Sequence, residues 1–213
     1  MEAAQLTRVQ KETGPAPIIL RAGFWLSIAI AVAVVVRRLV ALMWPAASGP
    51  PELVSLDATF EKHAALTLAH ILPALVFVVL TPFVLFGKAG WAERLFFLTG
   101  ATVGITAYAM SLYSTGGWIE RSAVLLFNTL FLYSLWRAFE RRREPAERRR
   151  WLLRAIVILL GIATTRPVMG FFFATSPLTH LSPHQFFGIA FWIGFSINLT
   201  VVEVWLRKRH GNG

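Results

Sequence analysis

Long apolar stretches, each closed by charged or turn-forming residues, dominate the chain. Crossing a bilayer takes roughly 20 mostly apolar residues. Six stretches qualify: Ala22–Trp44, Ala64–Phe86, Leu95–Tyr113, Ala123–Phe139, Trp151–Phe173 and Gln185–Leu206. Each is far too long for a buried strand, and the connections between them are short. Backbone polar groups in lipid must be satisfied within their own segment. The pattern therefore predicts an all-α polytopic membrane bundle of six transmembrane helices. Residues 22–206 form this one domain, between a short tail (residues 1–21) and a basic C-terminal tail (207–213). The first stretch is read as a retained helix. Its apolar run outlasts the roughly 7–15 residues of a signal peptide, it ends in Arg37-Arg38, and Ala46-Ala47-Ser48 is a poor cleavage site.

Composition agrees. The chain is 56% hydrophobic and 15% charged, where a soluble domain carries about 25% charged residues. The absence of cysteine excludes disulfides, thiolate metal sites and cysteine nucleophiles. A net charge of +10 on 213 residues first suggests a nucleic-acid partner. The distribution of that charge changes the reading. Sixteen of the 21 Lys and Arg residues fall on the tails, the second–third connection and the fourth–fifth connection; only Lys62 and Arg121 fall on the opposite side. This split places both termini in the cytoplasm and predicts a multi-pass protein of a bacterial inner membrane with no nucleic-acid partner. The run from Arg141 to Arg150, interrupted by Glu144 and Glu147, reads as a juxtamembrane loop drawn to anionic lipid.

Arg37, Arg38 and Arg166 lie inside spans, where ionisable groups are costly and point to function. Arg37 and Arg38 either reach the outer headgroups or pair with Asp57, Glu61 or an anionic ligand. His63 and His70 are two helical turns apart, so they share a face. His180 and His184 lie in the outward connection Thr179-His-Leu-Ser-Pro-His, with Ser182 as the helix cap and Pro183 as the first helical residue. Topology thus gathers four of the five histidines on the outer side. Three readings remain open for them. Each histidine could be a hydrogen-bonded interface residue. His70 and His184 could be axial ligands of haem b, with Arg166 or Arg37 facing the propionates. His63, His180 and His184, with Glu61 or Asp57, could hold zinc.

Pro167 removes the backbone bond to Ala163 and predicts a kink beside Arg166. Asn198 is read as a helix–helix hydrogen bond, and Glu203 as the partner of Arg154 or Arg94, with a proton-relay role as the alternative. Gly100 and Gly104 form a small-x-x-x-small face that brings another helix close. No dinucleotide, phosphate-loop or nucleophile-elbow signature is present.

The residues Leu68-Ala-His70, Thr81-Pro82, Arg149-Arg150-Trp151-Leu-Leu-Arg154, Thr165-Arg166, Asn198-Leu199 and Glu203 together resemble the bacterial multi-helix membrane family catalogued as domain of unknown function 2306. The resemblance covers about two-thirds of the chain. It implies a polytopic helical fold and marks His70, Trp151, Arg154, Arg166, Asn198 and Glu203. Arg148 stands where that family would have His. The family brings no activity with it.

The function expected is binding of a small ligand or redox cofactor, haem b or quinone, in the outer half of the bundle around His70, Arg166, His184 and Arg37. The alternatives are a non-enzymatic transporter, an accessory subunit of a membrane complex or a homodimer using Gly100 and Gly104, and a zinc-dependent membrane hydrolase.

Overall fold

The computed structural model describes residues 17–44, 51–87 and 90–211. Arg8 and Lys11 of the N-terminal tail, the stretch Ala46-Ala47-Ser48, and Lys88 lie outside the described residues. Every regular element among the described residues is a helix: α1 Ile18–Met43, α2 Pro51–Lys62, α3 Ala64–Phe86, α4 Gly90–Ser111, α5 Gly117–Glu140, α6 Pro145–Leu159, α7 Gly161–Thr179 and α8 Pro183–Gly211. Five segments are long and apolar enough to cross a membrane: α1, α3, α5, α6 continued by α7, and α8. Helix α4 is equally long, but it opens with Glu93 and Arg94 and carries several Gly, Thr and Ser residues, which keep it outside that set.

Helix α4 packs between α3 and α5, and α5 also packs on α6 and α8. Helix α1 leans on α3 and α7. Aromatic rings join these helices. Phe77 of α3 stacks on Phe96 of α4 at 4.1 Å, Phe131 of α5 meets Phe77 edge-on, and Phe127 stacks on Phe195 of α8 at 5.2 Å. Large apolar side chains such as Trp25, Leu98, Ile105 and Val204 are exposed, as lipid-facing positions are. Ser182 and Gln185 start α8 as expected, the Gln185 Oε1 accepting the Ser182 N–H at 3.0 Å.

Two local expectations are revised. The fifth apolar stretch is interrupted at Leu160, seven residues before Pro167, which sits within α7. The interruption is closed by a three-residue step, Ala163 N–H to Leu160 O at 2.9 Å. It is followed by Gly161, a residue that favours such breaks and at which an added Cβ would lie 2.6 Å from the Phe195 ring. The first–second connection is also not a plain loop, because α2 fills much of it.

Gly100 and Gly104 are used within the chain and are not offered to a second copy. A Cβ on Gly100 would meet Phe77 and Leu135 at 2.8 Å, and one on Gly104 would meet Leu132 at 2.4 Å. Asn128 of α5 donates to the Gly104 carbonyl at 2.9 Å across the same contact. A Gly104→Val variant is expected to lose about 1–3 kcal/mol through overpacking, and Leu132→Ala in the same background should return part of it. Unfolding midpoints in detergent test this. An unchanged midpoint would show that Gly104 does not carry the α4–α5 contact.

Candidate functional site

One end of the bundle gathers polar side chains from six helices around a cavity of about 260 Å³. Its wall is mostly apolar, with Arg38, His63, His70, Glu120, Asn128 and Arg166 among the polar residues.

Helix α1 supplies Arg38 one turn before its end. Arg38 is 8% exposed, bonds Asp57 of α2 through its guanidinium, and lies 3.9 Å from the centre of the Phe60 ring. Exposed Arg37 reaches the other carboxylate oxygen of Asp57 at 3.0 Å. Of the two readings of this pair, the structure takes the ion pair. Asp57 therefore draws α2 against α1, and the Thr67 hydroxyl, donating to the Phe60 carbonyl at 3.1 Å, fastens α2 to α3.

His63 stacks on Tyr113 with ring centres 3.7 Å apart. His70 joins its Nδ1 to the Thr106 hydroxyl at 2.9 Å. The Thr106 hydroxyl also reaches the Thr102 carbonyl at 2.7 Å, so His70 is tied to the α4 backbone through it. His184 stands over Gly117, where an added Cβ would lie 2.7 Å from the ring. Gly117 also has φ +60, so both its backbone and its neighbour favour glycine. His180 is the exposed left-handed cap of α7.

The histidines expected to act together are thus spread apart. Among the described residues no group of three His, Asp or Glu side chains is arranged to hold a metal ion. His63, His180 and His184 are on separate contacts, so the zinc set is not assembled. His70 is on the cavity wall and His184 is not. Two axial imidazoles must aim at one iron, and this pair does not share the cavity.

Arg166 of α7 occupies the cavity wall without a carboxylate partner. Its Nε is buried and has no hydrogen-bond partner among the described residues, and a terminal nitrogen meets the Met169 sulfur at 3.7 Å. Glu120 of α5 is close enough to act on Arg166 and His184 through space. It is nevertheless held by the Gly116 N–H at 2.5 Å, and no ion pair joins it to Arg166. Glu120 and Asn128 are the residues that sequence reasoning missed. Glu120 lies ahead of the fourth apolar stretch, which begins only at Ala123, although α5 already starts at Gly117. The usable signal was Gly116-Gly117 followed by an acid in the first helical turn.

The remaining singled-out residues lie away from this cavity. Arg154 of α6 meets Glu203 of α8 through two bonds, 2.5 and 3.1 Å, and covers Trp151 at 4.6 Å. Asn198 donates to the Val157 carbonyl at 2.9 Å and accepts from Thr164 at 2.7 Å. Both are inter-helix ties. In the basic connection, Arg141 pairs with Glu144, Arg150 with Glu147 and Arg148 with Glu93.

No family model, curated protein or solved structure matches this chain.

Proposed function

We propose that the protein is a six-span protein of a bacterial inner membrane, with both termini cytoplasmic, akin to the family it resembles, and that it binds a small amphiphilic anion in its outer half. The topology rests on the division of Lys and Arg residues between the two sets of ends. The binding reading rests on one observation: Arg166 lines an apolar-walled cavity and, among the described residues, no carboxylate forms an ion pair with it there. A desolvated cation without a partner costs several kcal/mol, and a bound anion would offset that cost. Arg37 and Arg38 share Asp57, and Glu120 is engaged by the backbone, so among the described arginines at this end Arg166 is the one left for a ligand.

The apolar wall suits a short hydrocarbon body. The volume of about 260 Å³ lies just below the usual span of ligand pockets, roughly 300–1,000 Å³. A small carboxylate or phosphate amphiphile fits this better than a haem macrocycle. Octanoate and octanol, matched in chain length, test the reading in detergent-purified protein. Octanoate is expected to raise the unfolding midpoint with saturation, and octanol to leave it unchanged. Equal responses to the two would remove the anion from the reading, and no response to octanoate would remove the site.

A further inference from the structure

A second cavity lies towards the opposite end of the bundle. It is a groove of about 730 Å³ between the first turns of α1, the end of α3 and the faces of α6 and α8. Helix α1 packs on α3 and α7, and the groove is the space left between α1 and the α6–α8 pair. We infer that this groove holds one acyl chain of an anionic phospholipid, with the phosphate between Arg21 and Arg149.

Three features select that occupant. First, the mouth carries two guanidiniums from separate helices, Arg21 of α1 and Arg149 of α6. Both are exposed, and neither forms an ion pair among the described residues. Arg148 and Arg150 on either side of Arg149 have carboxylate partners, so Arg149 is singled out within its own run. A basic pocket between spanning helices is the arrangement that takes an anionic lipid head.

Second, the floor offers a ligand little polar chemistry. Thr164 donates to Asn198 Oδ1, and Asn198 Nδ2 donates to the Val157 carbonyl. These groups satisfy one another, and the walls between mouth and floor are largely apolar, with Phe24, Leu153 and Val202 among them. A ligand with a polar group at its inner end would find few partners, whereas a hydrocarbon chain needs none.

Third, the length fits one leaflet. Arg149 and Thr164 are fifteen residues apart along α6 and α7, so mouth and floor are separated by at most roughly 22 Å at 1.5 Å per helical residue, the break at Leu160 shortening the path. Half of a bilayer, headgroups included, is about 20–22 Å.

Trp25 and Trp205 line the groove and report on its contents. The protein would be placed in phosphatidylcholine vesicles containing a minor fraction of chain-brominated lipid, either phosphatidylglycerol or phosphatidylcholine. Bromine quenches tryptophan on contact. Two arginines near the surface favour an anionic head by about thirtyfold, at about 1 kcal/mol each. Brominated phosphatidylglycerol should therefore quench more than brominated phosphatidylcholine at equal content. The excess should vanish in Arg21→Gln/Arg149→Gln and in Trp25→Phe/Trp205→Phe. It should persist in Arg142→Gln/Arg143→Gln, which alters the same basic connection outside the groove. Equal quenching by the two lipids overturns the inference. So does an excess that survives the Arg21/Arg149 change or disappears with the Arg142/Arg143 change, since the charge of the loop alone would then attract the lipid. The tryptophan variant keeps both arginines, so it tests the location of the lipid even if the arginine variant fails to fold.

Discussion

An Arg166→Met variant is expected to unfold at a higher temperature than the unaltered protein and to lose its response to octanoate. The two effects have one cause. The Arg166 guanidinium has a buried Nε without a hydrogen-bond partner among the described residues, and one of its terminal nitrogens meets the Met169 sulfur at 3.7 Å. Methionine has similar reach and carries no charge to desolvate, and Met169 and Phe187 already make that wall apolar. Replacing buried charge by packed apolar groups often stabilises by 1–4 kcal/mol. Arg166 is only half-buried as a whole residue, so about 1–2 kcal/mol is the expected gain. At about 2–4 °C per kcal/mol for a chain of this size, the shift is measurable. Removing one member of a desolvated charge pair typically costs 2–5 kcal/mol of binding, so octanoate affinity should fall at least about thirtyfold. Stability sacrificed at a position that binds a ligand is the signature of a functional residue. A variant that unfolds at a lower temperature would instead make Arg166 a structural residue, through contacts other than those described.

The second large effect is destabilisation by Asp57→Ala. Among the described residues, Asp57 is the carboxylate bonded to both Arg37 and Arg38, and the Arg38 side chain is 10% exposed. Removing the acid leaves that guanidinium in place with Phe60 as its remaining close neighbour. Breaking a buried pair from one side costs about 3–5 kcal/mol. Because the stranded charge is the source of most of that cost, Arg38→Met added to Asp57→Ala should restore much of the midpoint. Asp57→Ala alone should also loosen α2, whose Phe60 and Thr59 contribute to the cavity wall, and so weaken octanoate. If the double variant unfolds no later than the single one, the cost lies in the fit of α2 and not in the Arg38 charge.

These three arginines show how unevenly the site was legible. Arg166 stood out in the sequence because a charge within an apolar run needs a reason, and its place on the cavity wall agrees with that. Arg37 and Arg38 also stood out, but two partners were open to them. Choosing Asp57 required knowing that Pro51–Lys62 forms a helix that turns its acid back towards α1. The histidines were the weakest part of the reading. Four were assigned to one end on topology alone, yet sharing an end is not sharing a contact. His63 is taken by Tyr113, His70 by Thr106 and His184 by the surface of Gly117. Glu120 was missed because apolar patterning marks where lipid begins, and α5 starts almost two turns earlier, at Gly117.

The sequence by itself determined the helical class, the bounds of α3 and the approximate extents of the other long helices; it narrowed the partner of Glu203 to Arg154 or Arg94, and the packing of α6 on α8 chose Arg154. These follow from hydrophobic period, length and charge, which are properties of the chain taken one segment at a time. Only the tertiary structure decided which polar groups are consumed by one another and which are left over. It gave Gly100 and Gly104 to contacts inside the chain, tied Thr164 to Asn198, and left Arg166 lining a cavity without a carboxylate partner. The physical reason is that hydrogen-bond and ion-pair energies depend on separations of a few ångströms between residues tens of positions apart. Segment-by-segment patterning places a residue on a helix and at a depth, and the packing of the helices then assigns its partner.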